Sequence, residues 1–312
     1  MTEMWPDIPY AAWHETCSAL HLYTQVVGKY RLARTPWINH SWHATFYVNG
    51  RGLTTSLIPD GSGVEILFDL RDHVVIGHAA DGRRAEIRLE PMSVADFHAG
   101  FCELVGRLGG TPKFDGRPNE VPDPIPFRDD RQIRPYDAQA VTQFFSGLIA
   151  INRVFSRFRT GFIGKVSPVH LFWGSFDLAV TRFSGRSAPL HPGGVPGLPD
   201  NVTREAYSHE VSSAGFWPGG GGTDFAAFYS YAYPTPNGFA DREVMPAAAY
   251  FDRKLGEYLL PYDVVRKSSD PEATLMAFLE STYQAAADVG SWDRSTLECP
   301  IGSPVQPRPL TM

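Results

Sequence analysis

The order of strands and helices along the chain constrains its fold more than any other feature of the sequence. A block of short strands spans about residues 19–91 and ends in a helix, and a second block after residue 163 also ends in a helix. Between the blocks, residues 111–136 hold six prolines without periodicity, which is typical of an extended connector. This order predicts an α+β fold: two antiparallel β-sheet lobes, each backed by helices, sharing a central cleft.

The predicted boundaries follow this alternation. Residues 1–110 form an N-terminal lobe of sheet plus helix, 111–136 the connector, 137–297 a C-terminal helix–sheet–helix lobe, and 298–312 a flexible tail. Three residues suited to helix N-caps, Ser93, Asp137 and Asp270, mark the predicted helix starts. The segments LHLYTQVVGKYRLA and WHATFYVN, which alternate or run apolar, are predicted strands of the first lobe.

Charge and cysteine content exclude several function classes. The 28 basic and 34 acidic residues give a formal charge of −6 without a concentrated basic region, so we expect no nucleic-acid partner. The N-terminal MTEMWPDIPY lacks the pattern of a signal peptide, and no apolar run is long enough to span a bilayer, so we expect a cytoplasmic protein without a membrane partner. The three cysteines lack the spacing of a thiolate zinc site.

The stretch SPVHLFWGSFDLAVTRFSGR, residues 167–186, places charged side chains in an apolar run. If it is one strand, the period of two puts His170 and Asp177 on opposite faces, unless Gly174 marks a bulge that restores a common face. A dyad of the two residues therefore depends on Gly174. The alternative is a core strand whose polar residues are paired with nearby loops.

Histidines near other strand ends suggest a metal site. A loop–strand junction at NHSWH carries His40 and His43, and the expected strand begins near Ser41. With His170 and His209, the two could ligate a divalent metal ion, with Glu210 as a carboxylate partner. The alternative is a set of polar histidines at sheet edges.

A third set of residues is suited to binding a substrate. Arg182 and Arg186, four residues apart across a Ser-Gly turn, could bind one anion together with Lys165. Tyr229 and Tyr231 alternate along FAAFYSYAY and could form a pocket wall. A solvated turn and a half-buried sheet face are the alternatives.

Several strings of the chain resemble a bacterial family known as domain of unknown function 5996. They are GKVSPVHLFWGSFDLAVTRFSGR, AYSHEVSSAGFWPGG, FYSYAYP, LPYDVVR and NHSWH. The resemblance extends from about Trp13 to Trp292. It implies that both lobes form one integrated unit, and it brings no activity, cofactor or catalytic residue.

Taken together, these residues predict an enzyme that acts on a small anionic organic metabolite at a histidine-centred, metal-assisted site. The expected catalytic residues are His170, His209, Glu210 and Asp177. The expected substrate-binding residues are Arg182, Arg186, Lys165, Tyr229 and Tyr231. The alternative is a non-catalytic small-molecule binding or sensor protein with an aromatic, arginine-lined cleft. Nothing in the sequence indicates an oligomeric state.

Overall fold

A computed structural model of the chain describes residues 4–220 and 223–308. The helices are α1 (Tyr10–Arg34), α2 (Val94–Arg107), α3 (Ala138–Thr160), α4 (Asp200–Ala206), α5 (Tyr262–Arg266), α6 (Pro271–Val289) and α7 (Arg294–Leu297), with short 3-10 helices at Asn39–Ala44, Phe127–Asp129 and Phe239–Asp241. The strands are β1 (Tyr47–Val48), β2 (Gly52–Thr54), β3 (Val64–Asp69), β4 (Val74–Ala79), β5 (Arg84–Arg88), β6 (His170–Phe172), β7 (Asp177–Ser187), β8 (His209–Trp217), β9 (Ala227–Tyr233), β10 (Tyr250–Asp252) and β11 (Glu257–Pro261).

Two antiparallel sheets organise these elements, which confirms the α+β prediction. The first sheet has the order β1-β2-β3-β4-β5, and the second has the order β10-β11-β9-β8-β7-β6. An isolated backbone bridge between Phe46 and Leu171 connects the two sheets. Among the described residues, no helix is both long and apolar enough to cross a membrane.

Helix N-caps at three positions agree with the sequence. The Ser93 side chain accepts from the backbone N–H of Asp96, and Asp137 and Asp270 cap α3 and α6 in the same way. Each cap satisfies a backbone donor that would otherwise lack a partner. These polar residues therefore fix where α2, α3 and α6 begin.

The strand predicted from LHLYTQVVGKYRLA is wrong, because these residues lie inside α1. Nearly every residue from Ala19 to Arg31 is buried. A helix that is surrounded by protein has no polar stripe, so its sequence reads as an apolar run that periodicity cannot separate from a strand.

The strand expected to begin near Ser41 is also wrong. Asn39–Ala44 is a 3-10 helix in which His40 and Ser41 both have a φ near +60°, and β1 begins only at Tyr47. Left-handed backbone at two successive residues other than glycine is uncommon and is not visible in a strand or helix pattern.

The stretch 167–186 forms a hairpin instead of a single strand. β6 and β7 pair with Phe172 opposite Asp177 and His170 opposite Ala179, and Gly174 lies in the turn between them. Residues opposite each other in an antiparallel pair point to the same face of the sheet. His170 and Asp177 therefore share a face, through a turn and not through a bulge.

The proposed lobe boundaries stay a prediction. Within 111–136 the regular structure is limited to the 3-10 helix Phe127–Asp129 and an isolated bridge at Arg134. In the predicted tail, Cys299 and Gly302 donate backbone hydrogen bonds to the end of α3. Residues 309–312 of that tail lie outside the described residues.

Candidate functional site

A cavity of about 660 Å³ lies on one face of the six-stranded sheet. The opposite face packs against α3 and α6. Because side chains alternate along strands, the residues of β7, β8 and β9 that line the cavity are alternate ones. The lining residues of the sheet are His170, Phe172, Asp177, Ala179, Thr181, Phe183, Val211, Ser213, Trp217, Tyr229, Tyr231 and Glu257.

Segments outside the sheet cover this cavity. They are the end of α1, the 3-10 helix Asn39–Ala44, the connector residues 115 and 119–120, and α4 with the loop before it. None of the described strand residues of the five-stranded sheet contributes to the lining. The cavity is therefore built on the second sheet, and the predicted cleft shared by two lobes stays a prediction.

Asp177 is a buried carboxylate at one end of the cavity. The Tyr229 hydroxyl donates to its Oδ2, and the Ser175 hydroxyl donates to its Oδ1. Burial raises the pKa of Asp177 despite these two donors. The two hydrogen bonds hold the carboxyl group in one orientation.

Glu120 brings a second carboxyl group from the connector. Its backbone is left-handed, with a φ of 55°. A Cβ on Gly174 would lie 2.0 Å from Glu120 Oε1, so a larger residue in the β6–β7 turn would force this carboxyl group to move. Burial, followed by the charge of Asp177, raises the pKa of Glu120 to about 7.

Glu257, the first residue of β11, is the third carboxyl group. Its Oε2 is buried and has no hydrogen-bond partner among the described residues. Burial raises the pKa of Glu257 to about 8, with smaller contributions from Asp177 and Asp252. Glu120 and Glu257 thus both change protonation state close to neutral pH.

The carboxyl groups of Glu120, Asp177 and Glu257 are not neutralised by a basic side chain. Within residues 4–220 and 223–308, no salt bridge includes any of the three. Lys29 also lines the cavity, but its ammonium group donates to Asp115 and Asn119. We call the three residues the carboxyl cluster, and its end of the cavity has a surplus of acidic groups.

Aromatic rings form the walls beside the carboxyl cluster. The ring of Tyr229 stacks on Trp217 with centroids 4.4 Å apart and on Tyr231 with centroids 6.1 Å apart. A Cβ on Gly215 would lie 2.3 Å from the Tyr229 ring, so this glycine provides the space for the stack. The hydroxyls of Tyr231 and Tyr207 lie 3.0 Å apart.

His170 is buried beside the same cavity. Its Nδ1 lies 2.7 Å from the Pro168 carbonyl oxygen, which can only accept, so Nδ1 carries the proton. Burial lowers the pKa of His170 to about 4, so the ring is neutral near pH 7. Its Nε2 is therefore an acceptor, and it has no partner in the described part of the chain.

A second group of polar residues lies toward the other end of β7. His40 Nδ1 donates to the Ala206 carbonyl oxygen, and Lys165 Nζ donates to His40 Nε2 over 2.6 Å. Burial lowers the pKa of both side chains, and the ring of His209 lies 6.1 Å from that of His40. Phe183 contacts Lys165 here, six residues and about 20 Å along β7 from Asp177.

The predicted metal set does not converge. His43 interacts through Nδ1 with the backbone of Ile38 and is not a lining residue, whereas His170 lies near the carboxyl cluster. Over the residues that the structure describes, no group of three or more His, Cys, Asp or Glu side chains could hold a metal ion. The histidines His40, His43, His170 and His209 therefore do not form a metal site in this structure.

The arginines predicted to bind an anion are occupied elsewhere. Arg182 is buried, pairs with Glu280 and stacks over Phe158. Arg186 pairs with Glu210 and donates to carbonyl oxygens at the end of α6. Neither arginine, nor Lys165, His209 or Glu210, is among the residues that line the cavity.

Sequence reasoning identified Asp177, His170, Tyr229 and Tyr231, and the cavity brings them together. It missed Glu120 and Glu257. Glu257 had a usable signal, because it lies two residues before Leu259 on β11 and therefore on the same face of the sheet. Leu259 pairs with Tyr229 of β9, which lines the cavity. Glu120 had no such signal, since it lies in a connector without periodicity.

A comparison with protein families finds one match that spans nearly the whole chain. The model of the Family of unknown function (DUF5996) matches residues 5–299. No curated protein and no solved structure matches the chain at a significant level.

Proposed function

The chain belongs to the Family of unknown function (DUF5996), so we propose a function for it from the cavity alone. In this proposal the chain is an enzyme that acts on a small organic molecule by proton transfer. The supporting observation is that two carboxyl groups with a pKa near neutrality face one aromatic cavity, beside the fixed carboxyl group of Asp177.

A proton-transferring group is most effective when its pKa is close to the working pH, because both protonation states are then populated. Glu257, with a pKa of about 8, is mostly protonated at neutral pH and is the proposed general acid. Glu120, with a pKa of about 7, is about half ionised and is the proposed general base. In many enzymes the surroundings give two carboxyl groups different pKa values, so that one acts as the general acid and the other as the general base.

The cavity also fits the proposed partner, a small molecule. Its volume of about 660 Å³ lies within the usual range of ligand pockets, and most of its wall is apolar or aromatic. The anionic substrate expected from sequence depended on Arg182 and Arg186, and neither lines the cavity. A cytoplasmic location and the absence of a nucleic-acid partner stay part of the proposal.

The test is to incubate the purified protein with a cell metabolite extract and to follow every compound by mass spectrometry. We expect at least one compound to be consumed by the wild type and by Glu103→Gln, an exposed control on α2. Glu120→Gln and Glu257→Gln should each slow its consumption by about 100-fold or more, as the loss of a general acid or base does.

Two outcomes would contradict the proposal. If both variants consumed the compound at the wild-type rate, the carboxyl groups would not transfer protons. If a compound bound to the wild type but was never converted, the chain would be a non-catalytic binding protein, the alternative expected from sequence.

A further inference from the structure

Two residues that line the cavity each hold a buried polar atom without a partner, and both atoms accept hydrogen bonds once Glu257 is ionised. Glu257 Oε2 and His170 Nε2 are both buried without a partner among the described residues. Two nearby donors are already in use, since the Tyr229 hydroxyl donates to Asp177 and the Lys29 ammonium group to Asp115. A buried acceptor without a donor is costly, so a ligand that supplies N–H groups would be favoured here.

Charge points to the same kind of ligand. Within the described residues, no salt bridge includes a side chain of the carboxyl cluster, since Lys29 at the cavity is paired with Asp115. The charge of Asp177 acts on both glutamates. A cation bound among them would favour the ionised state of all three. An anion placed there would meet like charges at low dielectric.

The walls complete the environment that binds organic cations. Trp217, Tyr229 and Tyr231 present stacked rings next to Asp177, and Trp173 lies in the β6–β7 turn of the same cavity. Electron-rich ring faces attract ammonium groups, most strongly where water is excluded. Carboxylates next to such rings therefore favour a ligand that carries a positive charge on an otherwise apolar molecule.

We propose that the carboxyl end of the cavity binds the charged nitrogen of an organic amine, with the aromatic wall holding the apolar part of the same molecule. This inference rests on the proposed function, because it names the substrate class of the same site. In the complex the nitrogen lies beside the carboxyl cluster and donates to Glu257 Oε2.

The experiment measures the binding of three probes of similar shape by titration calorimetry: benzylamine, benzyl alcohol and benzoate. At about pH 8 the amine is protonated, Glu120 is largely ionised and Glu257 is about half ionised. We expect benzylamine to bind at least about tenfold more tightly than either of the other probes. Asp177→Asn and Glu257→Gln should each weaken benzylamine binding by about 10- to 100-fold, and Glu103→Gln should not change it.

Equal or tighter binding of benzyl alcohol or benzoate, or no binding of benzylamine, would overturn the assignment of an amine. Circular dichroism of each variant separates lost binding from lost folding, and Glu257→Gln keeps the shape of the side chain. Glutamate-dependent conversion of a metabolite could still occur in that case. The amine assignment and the proposed enzyme therefore fail in separate measurements.

Discussion

At the scale of single residues, burial determines the chemistry of this site. Asp177 and His170 could be identified from sequence because a charged residue in an apolar run is conspicuous. Glu120 could not, because nothing local distinguishes it from a solvated glutamate, and the position of Glu257 in its strand does not reveal that its carboxyl group is buried. Their raised pKa values arise from segments that are distant in sequence and cover the cavity. These segments shield the two carboxyl groups from water only in the folded chain.

The raised pKa of Glu257 predicts a pH-dependent effect on stability. Its pKa in the folded chain is about 8, against 4.5 for an ordinary glutamate, so the folded state holds the proton over this interval and the unfolded state does not. Stability is therefore lost as the pH rises from 4.5 to about 8. Glu257→Gln removes the titration, and at about pH 9 it should be more stable than the wild type by about 1–2 kcal/mol.

Thermal unfolding at several pH values measures this difference. At about pH 4 the wild type and Glu257→Gln should be nearly equal, because the glutamate is then protonated in both states. Glu103→Gln, exposed on α2, should follow the wild type at every pH. A variant that is less stable than the wild type at high pH would show that Glu257 is ionised and favourably paired.

At the scale of elements, capping residues made α2, α3 and α6 predictable, and burial made α1 unpredictable. Caps are local: Ser93, Asp137 and Asp270 satisfy backbone groups within their own helices. The helical state of α1 depends instead on packing from all sides, which removes the polar stripe that marks a helix. The β6–β7 hairpin was predictable only in part. The sequence indicates that Gly174 decides whether His170 and Asp177 share a face, but it suggests a bulge where the structure has a turn.

A buried glutamine on α1 should control the position of Glu120. Gln25 Nε2 donates to the Asn119 carbonyl oxygen, and the Asn119 N–H donates to Gln25 Oε1. Gln25→Leu leaves both backbone groups of Asn119 without these partners, so we expect a loss of about 1–3 kcal/mol in unfolding free energy. Because Glu120 follows directly, its displacement should also weaken conversion of the metabolite.

Chemical denaturation and the metabolite assay measure the two effects. The matched control is Gln139→Leu, at an exposed position in the first turn of α3. We expect the control to change stability by less than about 0.5 kcal/mol. Equal behaviour of Gln25→Leu and Gln139→Leu would refute the anchoring of the connector by α1.

At the scale of the whole molecule, the strand and helix order was enough to predict an α+β fold with two antiparallel sheets. The position of the cavity was not predictable from that order. It depends on segments from four separate parts of the chain that meet over one sheet face. Long-range packing of this kind leaves no periodic signal in the sequence.

The two sheets should unfold together. Phe46 and Leu171 form a backbone bridge between them, and one hydrophobic core contains residues from both. Cooperative unfolding is expected when parts of a chain share a core. Differential scanning calorimetry should therefore give a single transition whose calorimetric and van't Hoff enthalpies agree. Two resolved transitions would instead indicate lobes that are stable separately.

The proposed chemistry depends on the protonation of the carboxyl cluster, which carbon-13 NMR measures directly. Carboxyl carbons of labelled glutamate are followed as a function of pH, and Glu120→Gln and Glu257→Gln identify the two signals. We expect titration midpoints of about 7 for Glu120 and about 8 for Glu257. Midpoints near 4.5, the ordinary glutamate value, would contradict the proposed chemistry, because both groups would then be ionised and open to water at neutral pH.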